Sequence, residues 1–236
     1  MKLISQTSIN NGVSIHYLDS HPDSDFSLTP LLICPGLSET AEEYQDLLEY
    51  LIPRRCIVLS FRGRGQSDTP PTGYDLKDHV VDIESVVIST GINHFHLYAF
   101  SRGVSYALEY TRLHPEQIGK LMILDYPSEH KAMPVDWPKD YIENYLIPFN
   151  RLSHIRPEAV RGIQRESVQR SIKFSSEKPV LVMRGLLEGS LISSEELEEY
   201  KEQFTNLHIA ELKNSGHDFR STEKSKLYEI IKEFAE

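Results

Sequence analysis

Short apolar runs alternate with longer stretches carrying apolar residues at helical spacing, and this rhythm persists along most of the chain. A strand covered on both faces reads as an unbroken hydrophobic run, and two parallel strands need a connection long enough to hold a helix. The alternation therefore predicts an α/β fold, a mostly parallel eight-stranded sheet flanked by helices. Strands are expected at Leu3 to Ser8, Ser14 to Leu18, Leu31 to Cys34, Cys56 to Ser60, Phe95 to Ala99, Leu121 to Leu124, Val180 to Arg184 and Leu207 to Leu212. Helices are expected at Thr40 to Leu51, Leu76 to Thr90, Val104 to His114, Glu195 to Phe204 and Glu223 to Phe234. Asn10-Asn11-Gly12 is a hairpin signal, so the sheet should open with an antiparallel edge.

The rhythm breaks once. Between Pro127 and Lys178 a stretch rich in proline, arginine and aromatic residues separates two apolar runs that otherwise look adjacent. Connections that long inside a compact domain generally have a function of their own. The expectation is one domain over residues 1–236 with a short helical cap inserted over 127–178, after the sixth strand. A 236-residue chain with 39% hydrophobic composition can bury one sizeable core, which agrees with a single domain. The formal charge of -10 argues against binding a phosphate backbone. The opening residues lack the pattern of a signal peptide, and no eighteen apolar residues run together. A soluble cytoplasmic protein with a small-molecule substrate, and with no nucleic-acid or membrane partner, is expected. Cys34 and Cys56 sit in apolar surroundings without metal-ligand spacing and read as small buried hydrophobes, so neither metal nor cofactor is implied.

The segment from His96 to Ser105 carries the chemistry. An apolar strand ends in Ala99-Phe100-Ser101-Arg102-Gly103 and passes straight into a helical pattern. A serine on so sharp a turn needs small residues two positions either side, because the backbone is crowded there, and Ala99 and Gly103 supply them. The turn puts the hydroxyl at the positive end of the next helix, where the Arg102 amide can hold a developing oxyanion. Ser101 is therefore the candidate nucleophile.

The order of elements and loops resembles the α/β-hydrolase fold family over nearly the whole chain, and three more segments match it. Pro35-Gly36-Leu37-Ser38 resembles the family's His-Gly loop, which implies the Leu37 amide as second oxyanion donor; Pro35 replaces the usual histidine. Ser60-Phe61-Arg62-Gly63-Arg64-Gly65-Gln66-Ser67 resembles the Asp-x-Arg-Gly-x-Gly-x-Ser turn, with Ser60 in place of the acid. That turn is structural in the family, so Arg62 and Arg64 receive no catalytic role. Ser215-Gly216-His217, after the last strand, matches the family's Gly-His and marks His217 as the general base. An imidazole suits the task because its pKa lies near the working pH.

Two carboxylates compete to orient that imidazole. Glu188, in Gly185-Leu186-Leu187-Glu188, matches the family's Gly-x-x-Asp and is favoured. Asp125 is the alternative: it ends the preceding strand twenty-four residues after Ser101, the place where members such as haloalkane dehalogenases carry their acid.

The inserted stretch holds Trp137, Tyr141, Tyr145, Phe149, Arg151, Arg156, Arg161, Arg165 and Arg170. Its arginines are expected to face water or pair with Glu158 and Glu166, or less commonly to meet a substrate carboxylate, for which Arg102 is better placed. The resemblance implies a serine hydrolase cleaving an ester or related acyl bond through a Ser101 acyl-enzyme, without a cofactor. The alternatives are a C–C bond hydrolase or lyase acting on an acidic substrate, and a catalytically silent binding module of the same fold.

Overall fold

The computed structural model describes residues 2–236. Eight strands form one sheet: β1 (Ile4–Asn10), β2 (Val13–Asp19), β3 (Leu31–Cys34), β4 (Cys56–Leu59), β5 (Phe95–Phe100), β6 (Ile118–Leu124), β9 (Val180–Gly185) and β10 (Leu207–Leu212). A two-residue pair, β7 (Glu129–His130) and β8 (Arg170–Ser171), forms a separate small sheet that the sequence did not announce. The order of the main sheet is β1-β2-β4-β3-β5-β6-β9-β10. β2 runs antiparallel to both β1 and β4, and the remaining neighbours pair in parallel. The Asn11-Gly12 turn, with positive φ at both residues, makes the expected opening hairpin.

Both faces of the sheet are covered. The helices are α1 (Gln45–Tyr50), α2 (Leu76–Thr90), α3 (Gly103–Leu113), α4 (Trp137–Tyr141), α5 (Pro157–Glu166), α6 (Ser194–Gln203), α7 (Phe219–Thr222) and α8 (Lys224–Ala235). One core cluster joins Leu32, Cys34, Ile57 and Leu97 to Ile83, Val104 and Tyr200 of α2, α3 and α6. The other joins Leu31, Ile33, Val58 and Tyr98 to Leu47, Leu227 and Ile231 of α1 and α8. Alternate residues of one strand thus serve opposite cores, as the two-residue repeat of a strand requires. Each such side chain, fully withdrawn from water, contributes roughly 1.5–3 kcal/mol of transfer free energy. Cys34 and Cys56 are free, buried and divided between the two clusters.

The expected helix from Thr40 to Leu51 begins as a 3-10 turn over Ala41–Tyr44 before α1. Ser60, standing where the family has an acid, accepts the Ala41 amide at 2.9 Å and so anchors that turn with a hydroxyl. Ser193 caps α6 through the Glu196 amide, as its acidic first turn suggested.

Between β6 and β9 the chain leaves the sheet. It builds α4, a π-helical turn over Ile142–Leu146, and α5. Leu146, Ile155, Ala159, Val160 and Ile163 bury themselves there with Tyr74, which belongs to the loop after β4. Contact is close: a Cβ on Gly162 would stand 2.3 Å from the Tyr74 ring, and one on Gly63 would stand 2.2 Å from Ala159 Cβ. Two glycines therefore let this segment settle on the post-β4 loop. Arg62 of that loop forms a buried, multiply bonded pair with Asp82. Removing one partner of such a pair costs about 3–5 kcal/mol, which is a structural duty.

Candidate active site

β5 ends in a turn at which Ser101 takes φ 52°, and α3 starts two residues later. Positive φ is uncommon for a residue with a Cβ, and the surroundings hold it there. The Ser101 amide donates to Leu124 O at 2.9 Å, and a Cβ on Gly103 would stand 2.3 Å from Pro35 O. The elbow is thus wedged between the ends of β3 and β6, and only glycine fits at 103.

The loop after β10 brings His217 to the same place. Its Nε2 lies 2.9 Å from Ser101 Oγ. Its Nδ1 lies 2.8 Å from Asp125 Oδ2. Asp125, at the end of β6, is fully buried and also takes up positive φ. Its carboxylate accepts the Ser190 hydroxyl at 2.6 Å and the Leu191 amide at 3.0 Å, so its oxygens are held in place before they meet the imidazole. The Phe100 ring stacks on the imidazole with centroids 4.8 Å apart. Glu223 accepts the Asn214 amide and the Ser215 hydroxyl, which tethers the histidine loop to the start of α8.

This array opens on a cavity of about 650 Å³ bordered by the Gly36 to Glu39 turn, Phe100, Ser101, His217, Tyr141, Tyr145 and Arg151, and by the beginning of α8. A family model described as the alpha/beta hydrolase fold matches residues 29–178. The chain belongs to that family. Solved structures of similar shape include an esterase from Exiguobacterium antarcticum, at 19% identity and TM-score 0.79, covering 98% of this chain and 99% of that one. A loop variant of a haloalkane dehalogenase from Bradyrhizobium elkanii aligns at 13% identity and TM-score 0.80, covering 100% and 97%. The enol-lactonase from Burkholderia xenovorans aligns at 13% identity and TM-score 0.75, covering 97% and 98%.

Within this hydrolase fold the favoured acid, Glu188, does not meet the histidine. Its side chain is exposed, and its backbone is what approaches the histidine loop: a Cβ on Gly216 would stand 2.3 Å from Glu188 O. The Leu187 amide donates to Ser215 O at 2.9 Å. That loop supplies Ser190 and Leu191 to hold Asp125, so it supports the carboxylate at the end of β6 that meets His217. Ser190 was missed in the sequence, where a serine after Gly189 carries no signal beyond a turn.

Arg102 is also placed differently from expectation. Its guanidinium turns into the protein, donating to Ser167 Oγ at 2.7 Å, Lys131 O at 3.2 Å and Tyr106 Oη at 3.1 Å. No protein acceptor takes the Arg102 or the Leu37 amide among the described residues, which leaves both expected oxyanion donors uncommitted. Of the arginines between β6 and β9, Arg151 borders the cavity. Arg156 binds the Gly65 and Ser67 carbonyls, Arg165 pairs with Glu166, and Arg170 pairs with Asp75.

The cavity's cations already have partners. Arg151 pairs with Glu43 at 2.9 Å, Arg220 with Glu39, and Lys224 with Asp46. Burial pushes the Glu43 carboxyl up, but the Thr40 amide and Arg151 together hold it below its ordinary value, so it stays ionised beside Arg151. Among the described residues no helix is long and apolar enough to cross a membrane, and no three His, Cys, Asp or Glu side chains gather where they could hold a metal ion.

Proposed function

We propose that the protein is a serine hydrolase that cleaves an ester or related acyl bond of a small molecule through a Ser101 acyl-enzyme. The observation that carries this reading is the continuous relay from Ser101 Oγ to His217 Nε2 and from His217 Nδ1 to Asp125, opening on a cavity. Asp125 accepts a hydrogen bond from the Nδ1–H group, which fixes the tautomer and leaves the Nε2 lone pair aimed at the serine hydroxyl. As Ser101 Oγ adds to the acyl carbon, its proton passes to Nε2 and the carbonyl oxygen becomes an oxyanion facing the Leu37 and Arg102 amides. Collapse expels the alcohol, which takes the proton from His217. Water then repeats the sequence on the acyl-enzyme and frees the acid and Ser101.

The nature of the nucleophile supports acyl chemistry over halide displacement. Attack of a serine oxygen on an alkyl halide would leave an ether, which water does not cleave, whereas attack on a carbonyl leaves an ester, which it does. The esterase and enol-lactonase of similar fold act on such bonds. The paired state of Arg151, Arg220 and Lys224 supports an uncharged substrate over an acidic one, since a bound carboxylate would have to displace an existing partner. Residues 127–178 serve in this reading as a cap over the cavity.

A fluorophosphonate probe followed by mass mapping of the labelled peptide tests the proposal without knowledge of the substrate. Label on Ser101, lost in Ser101→Ala and His217→Ala, is the expected result. A folded protein that takes no label would overturn it in favour of a binding module.

A further inference from the structure

The Leu37 amide lies in the Gly36 to Glu39 turn, whose neighbouring polar groups are held partly within the turn and partly by side chains from elsewhere. The Gly36 amide donates to Glu39 Oε2 at 2.7 Å. Leu37 O accepts from Arg64 Nε at 3.0 Å. Ser38 O accepts from Arg151 at 2.7 Å, and Ser38 Oγ accepts from the Tyr141 hydroxyl at 2.8 Å. Two of these four holds therefore come from the segment between β6 and β9, more than a hundred residues away in sequence.

Resting on the reading of Ser101 as nucleophile, we propose that Tyr141 and Arg151 are positioning residues that set the direction of the Leu37 amide and so couple the inserted segment to oxyanion binding. A peptide unit is planar, so the Leu37 amide turns only with Gly36 O, which accepts the Glu39 amide at 3.3 Å, and fixing the Gly36 amide, Leu37 O and Ser38 O on the flanking units leaves the 36–37 peptide little freedom to rotate. Both holding side chains are themselves braced. Tyr141 stacks between Trp137 and Tyr145, with ring centroids 5.2 Å and 5.0 Å away. Arg151 is clamped at 2.9 Å by Glu43, which also accepts the Thr40 amide. Burial raises the Tyr141 phenol to about 12, so it keeps its proton and remains a donor to Ser38 throughout the neutral range. The movement that would carry this segment off the cavity breaks the same two bonds, so the donor is correctly aimed only when the segment is seated. Binding energy gathered from the substrate by Tyr141 and Tyr145 is thereby available to the oxyanion step.

The test compares wild type with Tyr141→Phe, Ser38→Ala and the double variant, using a short nitrophenyl ester and a trifluoromethyl ketone, which forms a tetrahedral adduct at the serine. Each single variant is expected to lower kcat by about tenfold with KM within about twofold, because a misaimed donor weakens the transition state and leaves ground-state binding alone. Affinity for the ketone should fall in parallel with kcat/KM, and the double variant should be no worse than either single one, since both remove one bond. Arg151→Ala should lose roughly ten- to a hundredfold in kcat, and Arg151→Lys, which can still reach Ser38 O, should recover part of it. Melting temperatures near wild type for Tyr141→Phe and Ser38→Ala would exclude general unfolding as the cause. Wild-type kcat and ketone affinity in those two variants, or additive losses in the double one, would overturn the inference. A wild type that takes no fluorophosphonate label would overturn this inference together with the serine-hydrolase reading, whereas a labelled wild type with unaffected variants would overturn this one alone.

Discussion

The molecule contains two arrays of serine, histidine and aspartate whose serines stand four residues apart at the start of α3. In one, Ser101, His217 and Asp125 are linked by hydrogen bonds of 2.9 and 2.8 Å and border a cavity. In the other, Ser105 Oγ lies 3.1 Å from His130 Nδ1, and His130 Nε2 lies 3.8 Å from Asp75, with Ser105 and His130 wholly buried. The second array is connected in the opposite sense. The Ser105 hydroxyl spends its proton on Arg102 O at 2.9 Å, so it accepts from Nδ1, and Nε2 faces the Arg102 guanidinium at 3.4 Å. Burial, followed by the charges of Arg102 and Arg170, drives the His130 pKa down to about 3. Such an imidazole is a poor base at neutral pH and has no substrate to serve. Under the serine-hydrolase reading, the same three residue types serve catalysis or structure according to which ring nitrogen meets the carboxylate, and whether a cavity reaches the hydroxyl.

Substitutions at the two serines would separate the arrays most sharply. Ser101→Ala should lower turnover of a responsive ester by roughly 10⁴- to 10⁶-fold, and a variant retaining near wild-type kcat would remove the distinction altogether. Asp125→Asn should cost about 10³- to 10⁴-fold through loss of the correct imidazole tautomer, again read as kcat. The buried array should show itself in stability. Because His130 is neutral when folded and the unfolded side chain titrates near 6.5, its contribution is complete above that pH. It is lost as the pH falls from there toward about 3, since the unfolded state takes up the proton first. Urea unfolding between pH 7 and pH 4 should show a loss of up to about 1.4 kcal/mol per pH unit from this group, flattened in His130→Gln; an unchanged slope would refute it. Ser105→Ala should cost about 1–3 kcal/mol by leaving buried partners unsatisfied, with kcat within about twofold of wild type. The smallest effect is expected for Glu188→Gln, with kcat again within about twofold, because its exposed carboxylate touches neither array; a large loss would reinstate it as the acid.

Much of the fold was legible because it depends on local pattern. The all-apolar runs at Leu31–Cys34 and Cys56–Leu59 could only be strands covered on both faces, and the helices that cover them show the matching apolar spacing. The short β7 and β8 pair left no such trace, since two residues carry no periodicity. The elbow was legible for a different reason. Ala99 and Gly103 flank the serine within one strand-to-helix turn, so the demands of the backbone are written beside the residue they serve. His217 likewise follows a strand end and a glycine that the close approach of the Glu188 loop requires.

The acid and the walls of the cavity belong to another category. Asp125 and Glu188 each follow a strand that ends at the same edge of the sheet, and local sequence favoured Glu188, whereas Asp125 is the one that meets His217, because sequence records position along the chain and not the direction of a side chain. β6 and β9 are neighbours, so either carboxylate could have approached the histidine loop; the Ser190 hydroxyl and Leu191 amide settled the matter by holding Asp125 inward. In the same way, the five arginines between β6 and β9 look alike in sequence, and of these only Arg151 folds back to Ser38 and Glu43 at the cavity. By itself, then, the sequence determined the α/β sheet, the strained serine turn and the histidine that follows the last strand, because each is specified by residues adjacent in the chain. The tertiary structure alone decided which carboxylate completes the relay and which arginine braces the oxyanion turn, because those choices depend on hydrogen bonds between residues brought together from distant parts of the chain.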